Sequence, residues 1–64
     1  MFDMAAIVTE CRKREKMTLE QVSFNCGVRT GTISKIEHGQ GCKVDTLEKV
    51  LNAMGYELEV VPMK

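Results

Sequence analysis

Few residues in this chain could support covalent chemistry. Its 64 residues include three cysteines and one histidine. Cys11, Cys26 and Cys42 are widely spaced and form no CxxC pair. A four-ligand zinc site would need all three thiols and His38 to converge. The better reading is that Cys11 and Cys26 stand where helices want a small apolar side chain, and free cysteine serves as one. Unpaired thiols also suit a reducing compartment. No Ser/His/Asp set and no phosphate-cradling glycine loop is visible, so catalysis is not expected. Neither a metal nor a cofactor is expected. Glu10 and Glu20 read as solvated helix faces, and the five methionines as core and termini. What remains is a run of short polar groups, Thr30, Gly31, Thr32, Ser34 and Lys35. They offer hydrogen-bond donors and acceptors with little bulk, suited to close approach to a polar surface such as nucleic-acid base edges and phosphates.

Those groups need elements to hold them. Met4, Ile7, Val8 and Cys11 recur at helical spacing and predict a first helix from Asp3 to about Lys16. Asp3 can cap its start, and Arg12 to Lys16 put positive charge at its end, where the helix dipole favours it. Thr18 followed three residues later by Gln21 is a capping box that starts a second helix running to Cys26. Val22 and Cys26 should face inward. Gly27 ends this helix, and Val28 should anchor the turn. A third helix from Thr30 to His38 buries Ile33 and Ile36, and Gly39 ends it. Gln40 to Lys43 is a polar loop. A fourth helix from Val44 to Met54 carries the apolar stripe Val44, Leu47, Val50, Leu51 and Met54, with Gly55 as its stop.

The tail is different in kind. Tyr56-Glu57-Leu58-Glu59-Val60-Val61 alternates with a period of two and is closed by Pro62, the pattern of a strand. A lone strand in a helical chain finds no partner within it. It is either disordered or pairs with a strand from another molecule. The organisation expected is therefore a helical domain over residues 1–55 and a dimerising strand and tail over 56–64.

A short turn containing glycine between the second and third helices sets them at a steep angle, so that the third can project into a major groove. The formal net charge of zero weighs against strong non-specific DNA binding and requires the lysines and arginines to cluster on one face. No stretch is long enough to span a bilayer and no signal-like N-terminus is visible, so a soluble cytoplasmic protein without membrane association is expected.

Leu19 to Gly55, in particular Gly27-Val28, Thr32-Ile33-Ser34, Ile36-Glu37-His38-Gly39 and Asp45-Thr46-Leu47, closely resembles the Cro and C1-repressor type of helix-turn-helix, the Xre family. The resemblance implies a mainly α, four- or five-helix lambda-repressor-like domain that binds double-stranded DNA. It implies a structural ion pair between Arg12 and Glu37. It places base reading at Thr30, Gly31, Ser34 and Lys35, and phosphate contacts at Thr18, Arg29, Thr32, Gln40 and Lys43. Arg29 stands where the family often has a capping serine, so the cap of the third helix is expected to shift to Thr30. Leu19 replaces a polar residue that often touches DNA, and Ser23 a usual alanine.

Ala53 to Pro62 resembles the antitoxin-repressors of kinase-type (Hip) toxin systems, whose C-terminal strand pairs across a dimer axis. That resemblance implies a homodimer joined through Tyr56, Leu58 and Val60 and reading a pseudo-palindrome, with a toxin protein as a second partner. Two alternatives stay open: a module whose main task is to hold that toxin, and a phage-type repressor without one.

Overall fold

The structure is a computed structural model that describes residues 3–59 and 61–63. Four helices follow one another: α1 (Met4–Arg14), α2 (Leu19–Cys26), α3 (Thr30–Glu37) and α4 (Val44–Ala53). The ends of α1, α3 and α4 fall one or two residues short of the expected ones, which is ordinary fraying at helix termini. α3 packs against α1 and α2, while α4 packs against α2 and α1. Each helix contributes one completely buried β-branched residue: Val8, Val22, Ile33 and Val50. Cys11, Ile36, Leu47, Leu51 and Met54 complete the core. Branched side chains lose little further rotamer freedom on burial, which suits a centre as small as this one.

The helix starts follow local chemistry. The Asp3 carboxylate accepts from the Ala6 N–H at 3.2 Å. At α2 both halves of the capping box are present: Thr18 Oγ1 accepts from Gln21 N–H at 3.1 Å, and Gln21 Oε1 accepts from Thr18 N–H at 2.8 Å. α3 has no side-chain cap. Arg29 occupies the cap position in an extended conformation, and Thr30 is the first helical residue rather than the cap. An arginine has no short acceptor oxygen to turn back on the helix, so this end is left open.

Three helix ends share one device, in which the residue after the cap turns left-handed and two amides reach back to free carbonyls. Gly39 (φ 95°) donates to Ile36 O while Gln40 N–H donates to Lys35 O. Gly55 and Tyr56 do the same to Asn52 O and Leu51 O. At the end of α1 the left-handed residue is Lys16 (φ 56°), which donates to Lys13 O while Met17 N–H reaches Arg12 O. For a residue with a Cβ that conformation costs about 1 kcal/mol.

Two expectations are corrected. Val44 opens α4 and is 70% exposed, outside the apolar stripe, because it stands in the first turn, before the buried run of Leu47, Val50 and Leu51 begins. Secondly, no strand is present among the described residues, so the expected C-terminal strand finds no support in the single chain. A strand is defined by a ladder, and one chain offers residues 56–59 no ladder to join. Tyr56 and Leu58 instead pack against the edge of the core; Val60 lies outside the described residues. The reversal at Gly55 turns Tyr56 back toward α1, where its hydroxyl donates to Glu15 Oε2 at 3.0 Å.

That contact raises the Tyr56 pKa above the ordinary tyrosine value, first because ionisation would lose the bond to Glu15 and then through partial desolvation. A pKa raised on folding means that the contact stabilises the fold below the unfolded tyrosine value and is lost as pH climbs through the folded one. Tyr56 is the only tyrosine and there is no tryptophan. An ultraviolet titration should therefore show one clean phenol transition above the ordinary value, falling back toward it in Glu15→Gln.

Candidate nucleic-acid interface

The interface is built on α2, its turn and α3. Gly27 ends α2 in the left-handed region (φ 75°, ψ 10°) and donates to Ser23 O at 2.8 Å. This conformation costs a glycine nothing and turns the chain sharply. Val28, half-buried against the core, pins the far side of the turn, and Arg29 extends the chain into α3. With Ile33 and Ile36 buried, the opposite side of α3 carries Gly31, Ser34 and Lys35 at helical spacing.

Arg12 and Glu37 are brought together across the α1–α3 contact. Arg12 Nε is 2.6 Å from Glu37 Oε2, Nη2 is 3.0 Å from Oε1, and Nη1 donates to Met17 O at 3.1 Å. The two side chains are only 20% and 10% exposed. The guanidinium pKa is raised, chiefly by the hydrogen bond to Glu37 and against the effect of burial, so the charge is held firmly. Three of the five guanidinium donors are used, and this clamp fixes the end of α3 relative to the end of α1.

Beside the turn lies an open depression lined by Ser23, Arg29, Thr30, Gly31, Thr32 and Lys35. It thus unites five of the residues expected to meet DNA. It has two cations and no carboxylate, in a chain whose formal net charge is zero. These are two of the nine lysines and arginines of the chain. The other expected residues lie outside this depression. Gln40 and Lys43 are exposed in the loop after α3. Ser34 is half-buried, with its hydroxyl 3.4 Å from His38 Nδ1. Thr18 is exposed, but its amide and hydroxyl oxygen are used in the capping box, so its hydroxyl proton and the first amides of α2 are what it could offer an anion.

Gly31 has nothing within 4 Å of the position a Cβ would take, and its φ is not in the left-handed region. The fold therefore does not require glycine here, although glycine costs a helix about 1 kcal/mol relative to alanine. Gly31→Ala is expected to raise the melting temperature by roughly 4–8 °C. Where this side of α3 meets a base edge, the added methyl would also weaken binding to a cognate duplex. Thermal melts and a duplex titration on the same sample check both halves of this expectation.

None of the cysteines lines this depression. Cys11 is in the core, and the Cys42 thiol donates to Met4 Sδ at 3.3 Å, its pKa raised by burial. Among the described residues no cluster of three or more His, Cys, Asp or Glu could hold a metal ion. No helix there is long and apolar enough to cross a membrane.

The helix-turn-helix family model matches residues 8–61. The chain belongs to the helix-turn-helix family. The match takes in all of α2, α3 and α4 and most of α1, with the turn at Gly27 well inside it. Comparisons with curated proteins and with solved structures returned no match. The chain is accordingly a DNA-binding transcription regulator of the Cro/C1 type. Two features of this helix-turn-helix protein give no signal in the residue pattern. Phe24 is 89% exposed on α2, where a single phenylalanine among polar neighbours gives no sign of its direction until the buried face is known. The other is the side-chain arrangement of His38.

Proposed function

We propose that this helix-turn-helix protein is a sequence-specific repressor that binds double-stranded DNA as a homodimer on a pseudo-palindromic operator, with the outer side of α3 in the major groove. The observation that carries the reading is the acid-free depression around Arg29 and Lys35 in a chain whose formal net charge is zero. Base edges are read by Thr30, Gly31, Ser34 and Lys35, and phosphates are held by Thr18, Arg29, Thr32, Gln40 and Lys43. The weak overall charge makes non-specific binding modest, so doubling the interface matters. Pairing of residues 56–61 across a two-fold axis would give the tail a strand ladder to join and set half-sites about one helical turn apart. Three free thiols suit a protein that works in the reducing cytoplasm.

An antitoxin that represses its own synthesis is the more specific form of this reading. Holding a toxin as the main task is favoured by one observation: Phe24, Val44, Val61 and Met63 are large apolar groups left 66–97% exposed. Footprinting on the DNA upstream of the protein's own coding sequence tests the repressor reading. Two protected half-sites about one turn apart are expected. Lys35→Ala should weaken that protection about tenfold or more, the loss of one base contact. Equal affinity for this DNA and for random duplex would overturn the reading. Removal of residues 56–64 should yield a monomer in sedimentation, and a persisting dimer would sink the strand-pairing part.

A further inference from the structure

We propose that His38 is a base-reading residue, acting through Nε2 as a hydrogen-bond acceptor for the exocyclic amine of an adenine or cytosine. The proposal deepens the reading of α3 as the DNA-reading helix and rests on it. His38 caps α3 and is exposed. It extends the outward row Gly31, Ser34, Lys35 by one more helical step, at spacings of three, four and seven residues from Gly31. It therefore lies on the side of the helix opposite Ile33 and Ile36.

The geometry of the ring decides what it can bind. Nδ1 is 2.7 Å from the Ser34 carbonyl oxygen and 3.4 Å from the Ser34 hydroxyl. A carbonyl oxygen only accepts, so Nδ1 carries the proton. In the neutral imidazole the other nitrogen, Nε2, is then an acceptor, and it has no hydrogen-bond partner among the described residues. The bond to Ser34 also fixes the ring against its own helix, which lowers the entropy lost on binding. Phosphate oxygens are acceptors as well, so Nε2 in this tautomer has nothing to offer the DNA backbone. Its complements in the major groove are the N6 amine of adenine and the N4 amine of cytosine. Guanine O6 and N7 and thymine O4 all present acceptors and are disfavoured. His38 thus discriminates adenine or cytosine from guanine or thymine on the strand it faces, at a position displaced along the helix from those read by Gly31 and Lys35.

The test is enrichment of a randomised double-stranded DNA library by the full chain and by His38→Ala and His38→Phe, the second keeping a ring without the acceptor. Both substitutions are on the exposed side, and a helical circular-dichroism spectrum shows that each variant is folded. The wild type should enrich a motif in which one position of each half-site favours adenine or cytosine about five- to tenfold, the worth of one hydrogen bond. Both variants should bring that position to near-even base usage and leave the other positions as they were. Unchanged preferences in both variants would overturn the proposal. So would a uniform weakening on all sequences, the mark of a phosphate contact, and in either case the wild-type motif leaves the DNA-reading role of α3 standing. A wild type that enriches no motif would overturn sequence-specific reading itself and the His38 role with it.

Discussion

Ile33→Ala is expected to leave the protein largely unfolded at ambient temperature. Ile33 is completely buried where α3 meets the rest of the core. Removing three carbons there costs about 3–5 kcal/mol through lost burial and the cavity left behind. A domain of this size has a total stability of only about 3–10 kcal/mol. The centre is made of branched residues from four short helices, and none of them is long or flexible enough to fill the gap. Ile33→Val, with one methylene lost, should cost about 1 kcal/mol and keep a cooperative transition. Chemical denaturation of the two variants checks the contrast. An alanine variant as stable as the valine one would mean that α3 is not held from its buried side.

The second large effect is expected at the clamp between α1 and α3. Glu37→Ala should cost about 2–3 kcal/mol, lowering the melting temperature by roughly 10–20 °C, because it strands a guanidinium that is only 20% exposed. The pair is less enclosed than a fully buried one, so the loss is put below the upper range for such pairs. Arg12→Lys should not restore the loss seen in Arg12→Ala, since Nε and Nη2 both bond Glu37 while Nη1 bonds Met17 O, and an ammonium cannot span all three acceptors. Arg12→Met combined with Glu37→Leu should be less damaging than the sum of the single changes, because no charge is then left unpaired. Additive losses in that double-mutant cycle would show that the two side chains are near each other without being coupled.

Much of the fold is legible in the residues because its boundaries are written in local chemistry. Asp3, the Thr18–Gln21 capping box, and the glycines at 27, 39 and 55 each perform at a helix end the role their type suggests. The end of α1 is less legible, since Lys16 takes the left-handed conformation that a glycine would have announced. A contact made possible by the turn offsets that strain: the reversal brings Met17 O to Arg12 and so completes the clamp. Residues 56–61 show the limit of periodicity, which states which side chains share a face but not what the strand would pair with. Val44 shows a similar limit, because it shares the spacing of the buried residues Leu47, Val50, Leu51 and Met54 and yet is 70% exposed at the start of α4.

The site is legible in a different way. The short polar surface of α3 can be read from residue types, whereas the pairing of Arg12 with Glu37, 25 residues apart, comes only through family resemblance. The absence of carboxylates around Arg29 and Lys35 cannot be read from a composition that balances to zero; it depends on where the folded chain puts its acids. His38 is silent in the sequence, because a lone histidine among polar residues has no distinctive signal until its Nδ1 is seen against the Ser34 carbonyl.

The central claim is that DNA is held by the outer side of α3 and the turn before it. Amide chemical-shift mapping on titration with an enriched duplex tests it most directly. The largest shifts should fall at Arg29 to Lys35, with smaller ones at Thr18 and Gln40 to Lys43. Shifts centred instead on the Phe24 side of α2 or on α4, with the Arg29–Lys35 amides unmoved, would contradict it.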